Sequence, residues 1–247
     1  MHTHMVQRII KLSLLFIKEQ LKEPAALFWM IISPGAVYYL LTYSRGGLSP
    51  TTSDYLENTS WFYAYISSSV AFFGFSFYII GRRESGFIRS FIYTPIAKAI
   101  FLAAQLLSYS LISIIYCTVF YLLTRFSFET TDNGNYWTIT GRFYICYLLF
   151  CIPGALLTLA PMNFQNANTV FSISSFTMLV LGLLSTRQTH PAIDFANTLN
   201  PLWLAKQIMT GGTAEHSTLI FGTLVVFTGT FLATAFYLRI NPIWSRY

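Results

Sequence analysis

Charge is what this chain has least of. Asp, Glu, Lys and Arg make up 10% of its 247 residues, against about 25% in ordinary soluble domains. That scarcity excludes a soluble globular domain, and a hydrophobic content of 54% places the chain in a bilayer instead. Cysteine and histidine are scarce too. Cys117, Cys146 and Cys151 all stand in apolar runs, and an odd number there points to buried thiols, not to a disulfide framework. His2 and His4 sit near the N-terminus while His190 and His216 are isolated in polar segments, so no metal site is expected. The chain has no Gly-x-x-x-x-Gly-Lys-Ser/Thr phosphate loop, which excludes that route to ATP. The apolar runs hold neither paired carboxylates, nor His-Glu-x-x-His, nor a nucleophile with a base. No catalytic residue is expected, which argues against a membrane-embedded enzyme.

What the chain does have is apolar length. Stretches of about 20 apolar residues match the bilayer thickness when helical. The sequence predicts an all-α integral membrane protein of six transmembrane helices, at about 25–43, 61–80, 100–123, 143–160, 168–185 and 219–238. Pro153 and Gly154 predict a bend in the fourth. These spans leave no room for a soluble catalytic domain. Residues 1–23 form a different kind of segment, amphipathic and not spanning. Gln7, Arg8, Lys11, Lys18, Glu19 and Lys22 share one arc of a helical wheel, and Ile9, Ile10, Phe16, Ile17 and Leu21 take much of the rest. This predicts an interfacial helix that is retained, because basic residues interrupt any signal-like apolar core and no small-residue cleavage site follows. Residues 24–247 then form the membrane domain.

Between the second and third apolar runs lies a charged island, Gly81 to Lys98. Arg82, Arg83, Glu84, Arg89 and Lys98 must lie outside the bilayer. Within it, Phe87, Phe91 and Pro95, and Ile88, Ile92 and Ile96, recur every four residues. The spacing predicts a brief amphipathic helix ending near Pro95.

The order Arg82, Arg83, Glu84, Gly86, Thr94, Pro95, Lys98 resembles the loop after the second span in type-2 ATP-binding-cassette (ABC) permeases. Glu23-Pro24, Leu27-Phe28-Trp29 and Pro34 resemble that family's entry into the first span. Leu184-Ser185, Pro191 and Asn200-Pro201-Leu202-Trp203 resemble its segment before the last span, with Thr186 where the family has glycine. The resemblance implies a coupling helix at about 82–98 that docks on a separate ATPase subunit, and an outer, partly re-entrant segment at about 186–216. It implies Arg82, Arg83, Glu84, Gly86, Arg89 and Pro95 as coupling residues, the glycine for close approach and the charges for docking. It also implies a permease homodimer, no cofactor in this chain, and ATP with Mg on the partner. A plainer reading makes the island an ordinary basic loop that only fixes topology.

Basic residues give the orientation. Arg8, Lys11, Lys18, Lys22, Arg82, Arg83, Arg89, Lys98, Arg239 and Arg246 fall on one side of the six-span layout. Arg45, Arg125, Arg142, Arg187 and Lys206 fall on the other. By the positive-inside rule both termini are cytoplasmic, and the resemblance implies a bacterial inner membrane. The layout leaves no ionisable residue in mid-span, which argues against a proton-coupled transporter. Polar residues instead form stripes: Gln105, Tyr109, Ser113 and Tyr116 on the third span, Asn168, Ser172 and Ser175 on the fifth, Thr223, Thr230 and Thr234 on the sixth. They read first as interhelical hydrogen bonding. As a substrate path the candidates are Tyr38, Gln105, Tyr109, Ser113, Asn168, Ser172 and Ser175. Gly222 and Gly229 read as close-packing points. The function the resemblance implies is export of an amphipathic substrate, such as a drug, antibiotic, modified peptide or lipid-like molecule. No nucleic-acid partner is expected. The alternatives are a passive channel, a secondary transporter or a non-transporting immunity protein.

Overall fold

Apolar solvent offers the backbone no partners, so a chain of this composition must satisfy its amides within each segment, as helices. The computed structural model describes residues 2–44, 55–92, 94–125, 134–185 and 191–240, and all regular structure among them is helical. In order these are α1 (His2–Gln20), α2 (Pro24–Ser44), α3 (Tyr55–Ser69), α4 (Phe77–Glu84), α5 (Phe87–Phe91), α6 (Pro95–Arg125), α7 (Gly134–Leu159), α8 (Phe164–Ser185), α9 (Pro191–Thr198) and α10 (Pro201–Tyr237). A π-helical stretch, Val70–Ser76, joins α3 to α4 without a break. Among the described residues, four helices are long and apolar enough to cross a membrane: Tyr55–Glu84, Pro95–Arg125, Tyr136–Leu159 and Pro201–Tyr237. α2 and α8, with 21 and 22 residues, lie where the first and fifth spans are expected.

Aromatic rings fill the core. Phe72 stacks on Phe171 at 5.3 Å, and Tyr63 meets Phe120 edge-on at 4.9 Å. Small residues let the helices close up. A Cβ on Gly74 would stand 2.5 Å from the Tyr109 ring, and one on Gly154 or Gly182 would strike Ser76 or Trp61. Gly222 and Gly229, expected as packing points, instead face open space. The sixth-span threonines share a buried face as expected, but Thr223 and Thr234 donate to carbonyls four residues back in their own helix, Leu219 and Thr230. Their hydroxyl protons therefore stay within the helix.

Three boundaries differ from expectation. The helix after the island's glycine stops at Phe91, and Ile92 is extended. Pro95 opens α6 instead of ending the short helix, because Thr94 caps it: Ala97 N donates to Thr94 Oγ1 at 3.2 Å. Proline suits that first turn, where its missing N–H would have no partner. α7 begins at Gly134, ahead of the expected Phe143, which puts Arg142 inside a candidate span. The last helix is broken near its middle. Gly212 (φ 60°, ψ −148°) and His216 (φ −123°, ψ 35°) leave helical geometry, so 201–211 and 217–237 are separate rods. Thr186 and the cations Arg45, Arg187 and Arg246 lie outside the described residues.

Candidate functional site

The island's residues gather at one end of the bundle, where the end of α4, α5, the start of α6, and the ends of α1, α7 and α10 meet. Helix ends leave carbonyls without intrahelical partners, and each must find a donor. Arg83 supplies them for α7. It is 1% exposed, and its Nη1 donates to Thr158 O at 2.8 Å and Ala160 O at 3.2 Å. Its Nη2 donates to Met162 O at 2.5 Å and its Nε to Glu84 Oε1 at 3.3 Å. A cation at a helix C-terminus also meets the negative end of the helix dipole. Lys98 does the same for α10, donating from Nζ to Phe236 O at 2.9 Å and Leu238 O at 3.2 Å.

Arg82 turns the other way. It pairs with Glu19 of α1 and lies over the rings of Tyr78 and Phe87, 4.8 and 4.5 Å from their centroids. Tyr78 also donates to Glu19 Oε2, at 2.7 Å. Gln20 of α1 accepts from Tyr109 at 2.8 Å, and buried Phe16 packs on Tyr78 and Phe101. The amphipathic helix is therefore bolted to the corner at its C-terminal end.

Gly86 makes the bend. Its φ of 75° and ψ of −1° are left-handed, and the space where a Cβ would sit is open. The glycine is required for backbone conformation and not for close approach within the chain. Beyond it, Ile88 and Ile92 point inward while Arg89, Ser90, Thr94, Pro95 and Ile96 are exposed. The six expected coupling residues thus divide. Arg89 and Pro95 reach the surface; Arg82, Arg83 and Glu84 hold the corner to the bundle; Gly86 turns the chain between them. Arg83 cannot serve as a docking charge, because burial encloses its guanidinium.

The path candidates fall into three groups. Gln105, Tyr109 and Ser113 are buried inside α6, and Ser113 donates to Ser110 O at 2.8 Å. Gln105 is 0% exposed, and neither polar atom of its amide has a hydrogen-bond partner. Asn168 and Ser172 are exposed on α8, with Ser175 half-buried beside them. Tyr38 sits in an aromatic cluster with Tyr39, Phe62 and Phe120.

At the opposite end the break in α10 has its own arginine. Arg142 Nη1 donates to Met209 O at 2.8 Å and Thr210 O at 2.7 Å, capping the rod before the break. A Cβ on Gly212 would strike that guanidinium. Asn200 explains the Asn-Pro-Leu signature: its Oδ1 accepts from Leu202 N at 3.0 Å, and its Nδ2 donates to Met178 O at 2.9 Å. It caps α10 and ties it to α8. Lys206 lies 5.0 Å from the Trp203 ring and 5.5 Å from the Trp61 ring. Sequence reasoning missed Arg142 and Lys98 as helix caps, since a cap is visible only once the partner helix end is in place.

Among the described residues, no group of His, Cys, Asp or Glu is placed to hold a metal ion. No family model matches the chain. Over 238 residues, covering 96% of this chain and 98% of the other, it is 26% identical to Protein McbE of Escherichia coli. The chain is thus similar along almost its whole length to that protein, and its helices include four that suit a membrane.

Proposed function

We propose that the chain is the membrane subunit of an ATP-driven exporter of the ABC type-2 kind, with ATP and Mg held on a separate ATPase. The observation that carries this reading is the corner itself. The exposed residues Arg89, Ser90, Thr94, Pro95 and Ile96 sit on a corner held to two other elements by arginines, α7 through Arg83 and α1 through Arg82, and continuous with α4. A docking surface must be fixed rigidly to the parts it moves, and this arrangement supplies that link. The resemblance of the Arg82 to Lys98 motif supports the same assignment.

In this reading Arg89, Ser90, Thr94, Pro95 and Ile96 meet the ATPase, and Gly86 sets their angle. Arg83 and Glu84 pass the displacement to the end of α7 and the start of α8. The protein has six spans, with α2 and α8 as the first and fifth, and both termini in the cytoplasm of a bacterium. Residues 186–216 form the outer re-entrant segment, and two copies of the chain enclose the path. Asn168 and Ser172 lie on the exposed side of α8, where polar residues are costly against lipid, which favours a protein or aqueous neighbour there. The cargo is an amphipathic molecule such as a drug, antibiotic, modified peptide or lipid-like compound.

The test is a mild-detergent pull-down of the tagged chain from its native membranes, with ATP hydrolysis assayed in the eluate. Arg89→Glu is expected to lose the ATPase while the chain keeps its fold, since Arg89 is exposed. Co-purification of no ATPase with the wild-type chain would move the passive channel or immunity protein to the front.

A further inference from the structure

α1 carries three faces, and the fold accounts for one of them. Ile9, Ser13, Phe16 and Gln20 point toward the bundle, where Phe16 is 1% and Ser13 2% exposed. Next to them on the helix surface Val6, Ile10 and Leu14, with Leu21 in the turn that follows, form an apolar arc left 46–58% exposed. The remaining arc is mostly basic: Arg8, Lys11 and Lys18, with Lys22 in the turn that follows, all exposed, and with exposed Leu15 among them. The acid that would balance them, Glu19, is turned away to Arg82 and Tyr78. Glu23, in the turn beyond, is outweighed.

An apolar arc alongside a basic arc, both outward, is the pattern of a helix half-sunk in a leaflet with its cations among the headgroups. We propose that α1 is a clamp for anionic phospholipid: negatively charged headgroups bind Arg8, Lys11, Lys18 and Lys22, and this attachment steadies Glu19 on Arg82 and Tyr78. The observations favour lipid over a protein partner because the two arcs run side by side along the helix, matching acyl and headgroup layers. Electrostatics supplies the selectivity for anionic over zwitterionic headgroups. A basic residue near an anionic surface is worth roughly fivefold in affinity. Glu19 makes the attachment consequential, because it sits on the same helix and grips the corner that carries Arg89. The inference rests on the membrane character of the chain and not on the exporter reading.

The test uses the full chain in nanodiscs of phosphatidylcholine alone, or of phosphatidylcholine and phosphatidylglycerol in equal parts, followed by amide hydrogen exchange. Backbone exchange in α1 is expected to slow at least about tenfold in the anionic discs, and the difference to shrink in high salt. The triple variant Lys11→Gln, Lys18→Gln, Lys22→Gln should lose that lipid dependence while keeping its helical circular dichroism. Equal exchange of wild-type α1 in both discs overturns the lipid clamp. Exchange at 82–91 should follow that of α1 in the wild type, and Glu19→Gln should speed it in both discs. If lipid charge changes α1 but leaves 82–91 untouched, the link through Glu19 is wrong. No ATPase or cargo enters the experiment, so its failure leaves the exporter reading standing.

Discussion

Arg83→Met removes the strut between α4 and the end of α7 while keeping much of the side-chain volume. Three carbonyls at the end of α7 and the loop beyond, those of Thr158, Ala160 and Met162, lose their donor. A buried acceptor left unpaired costs about 1–3 kcal/mol. Simple addition for three acceptors overstates the loss, because removing the guanidinium also relieves its own burial and water can reach the loop. Breaking a buried charged network from one side costs about 3–5 kcal/mol in measured cases. We expect a destabilisation of about 3 kcal/mol for Arg83→Met. For Arg83→Lys, which keeps the charge but loses the fork that reaches several carbonyls at once, about 1–2 kcal/mol is expected. The assay is reversible unfolding of the full chain in mixed dodecylmaltoside and dodecylsulfate micelles, followed by circular dichroism. Arg89→Met, at an exposed position of the same corner, is the control and should stay within about 0.5 kcal/mol. Equal midpoints for Arg83→Met and Arg89→Met would refute the strut.

Two glycines should respond differently in the same assay. Gly212→Ala places a Cβ in a backbone region open only to glycine and against Arg142, and should cost about 3 kcal/mol or more. Gly86→Ala meets only the left-handed conformation, with open space around it, and should cost about 1 kcal/mol. Gln105→Met fills the same room without an unpaired amide, so stability should rise by about 1 kcal/mol or more. A loss of stability there would mean that the amide has a partner in the membrane. Cys117, Cys146 and Cys151 are 0% exposed and should resist a polar maleimide until the chain is unfolded. Rapid labelling of the folded chain would show that water reaches the helix interfaces.

The corner shows how far the residues themselves carry the reading. Charge marks the island and spacing marks its short helix, because local composition acts over a few residues, while Gly86 is singled out by the family resemblance. Pro95 was assigned to the wrong helix, since proline ends one helix and begins another equally well and only the Thr94 cap decides between them. Arg83 was read as a surface charge because a basic residue in a polar loop has no sequence feature that marks it as buried. Its partners lie about 75 to 79 residues away in the chain.

Composition and apolar length determined, without any structure, that this is a helical membrane protein with an amphipathic N-terminal helix, because a bilayer admits few backbone solutions. The pairing of cations with helix ends was decided only in three dimensions. Arg83 caps α7, Lys98 caps α10, and Arg142 caps the rod before Gly212. The reason is physical: a helix end exposes its carbonyls wherever the chain happens to stop, and which cation reaches them depends on how the helices pack. The same packing sent Gln105 inward and Asn168 outward, although both lie on polar stripes of equal standing in the sequence.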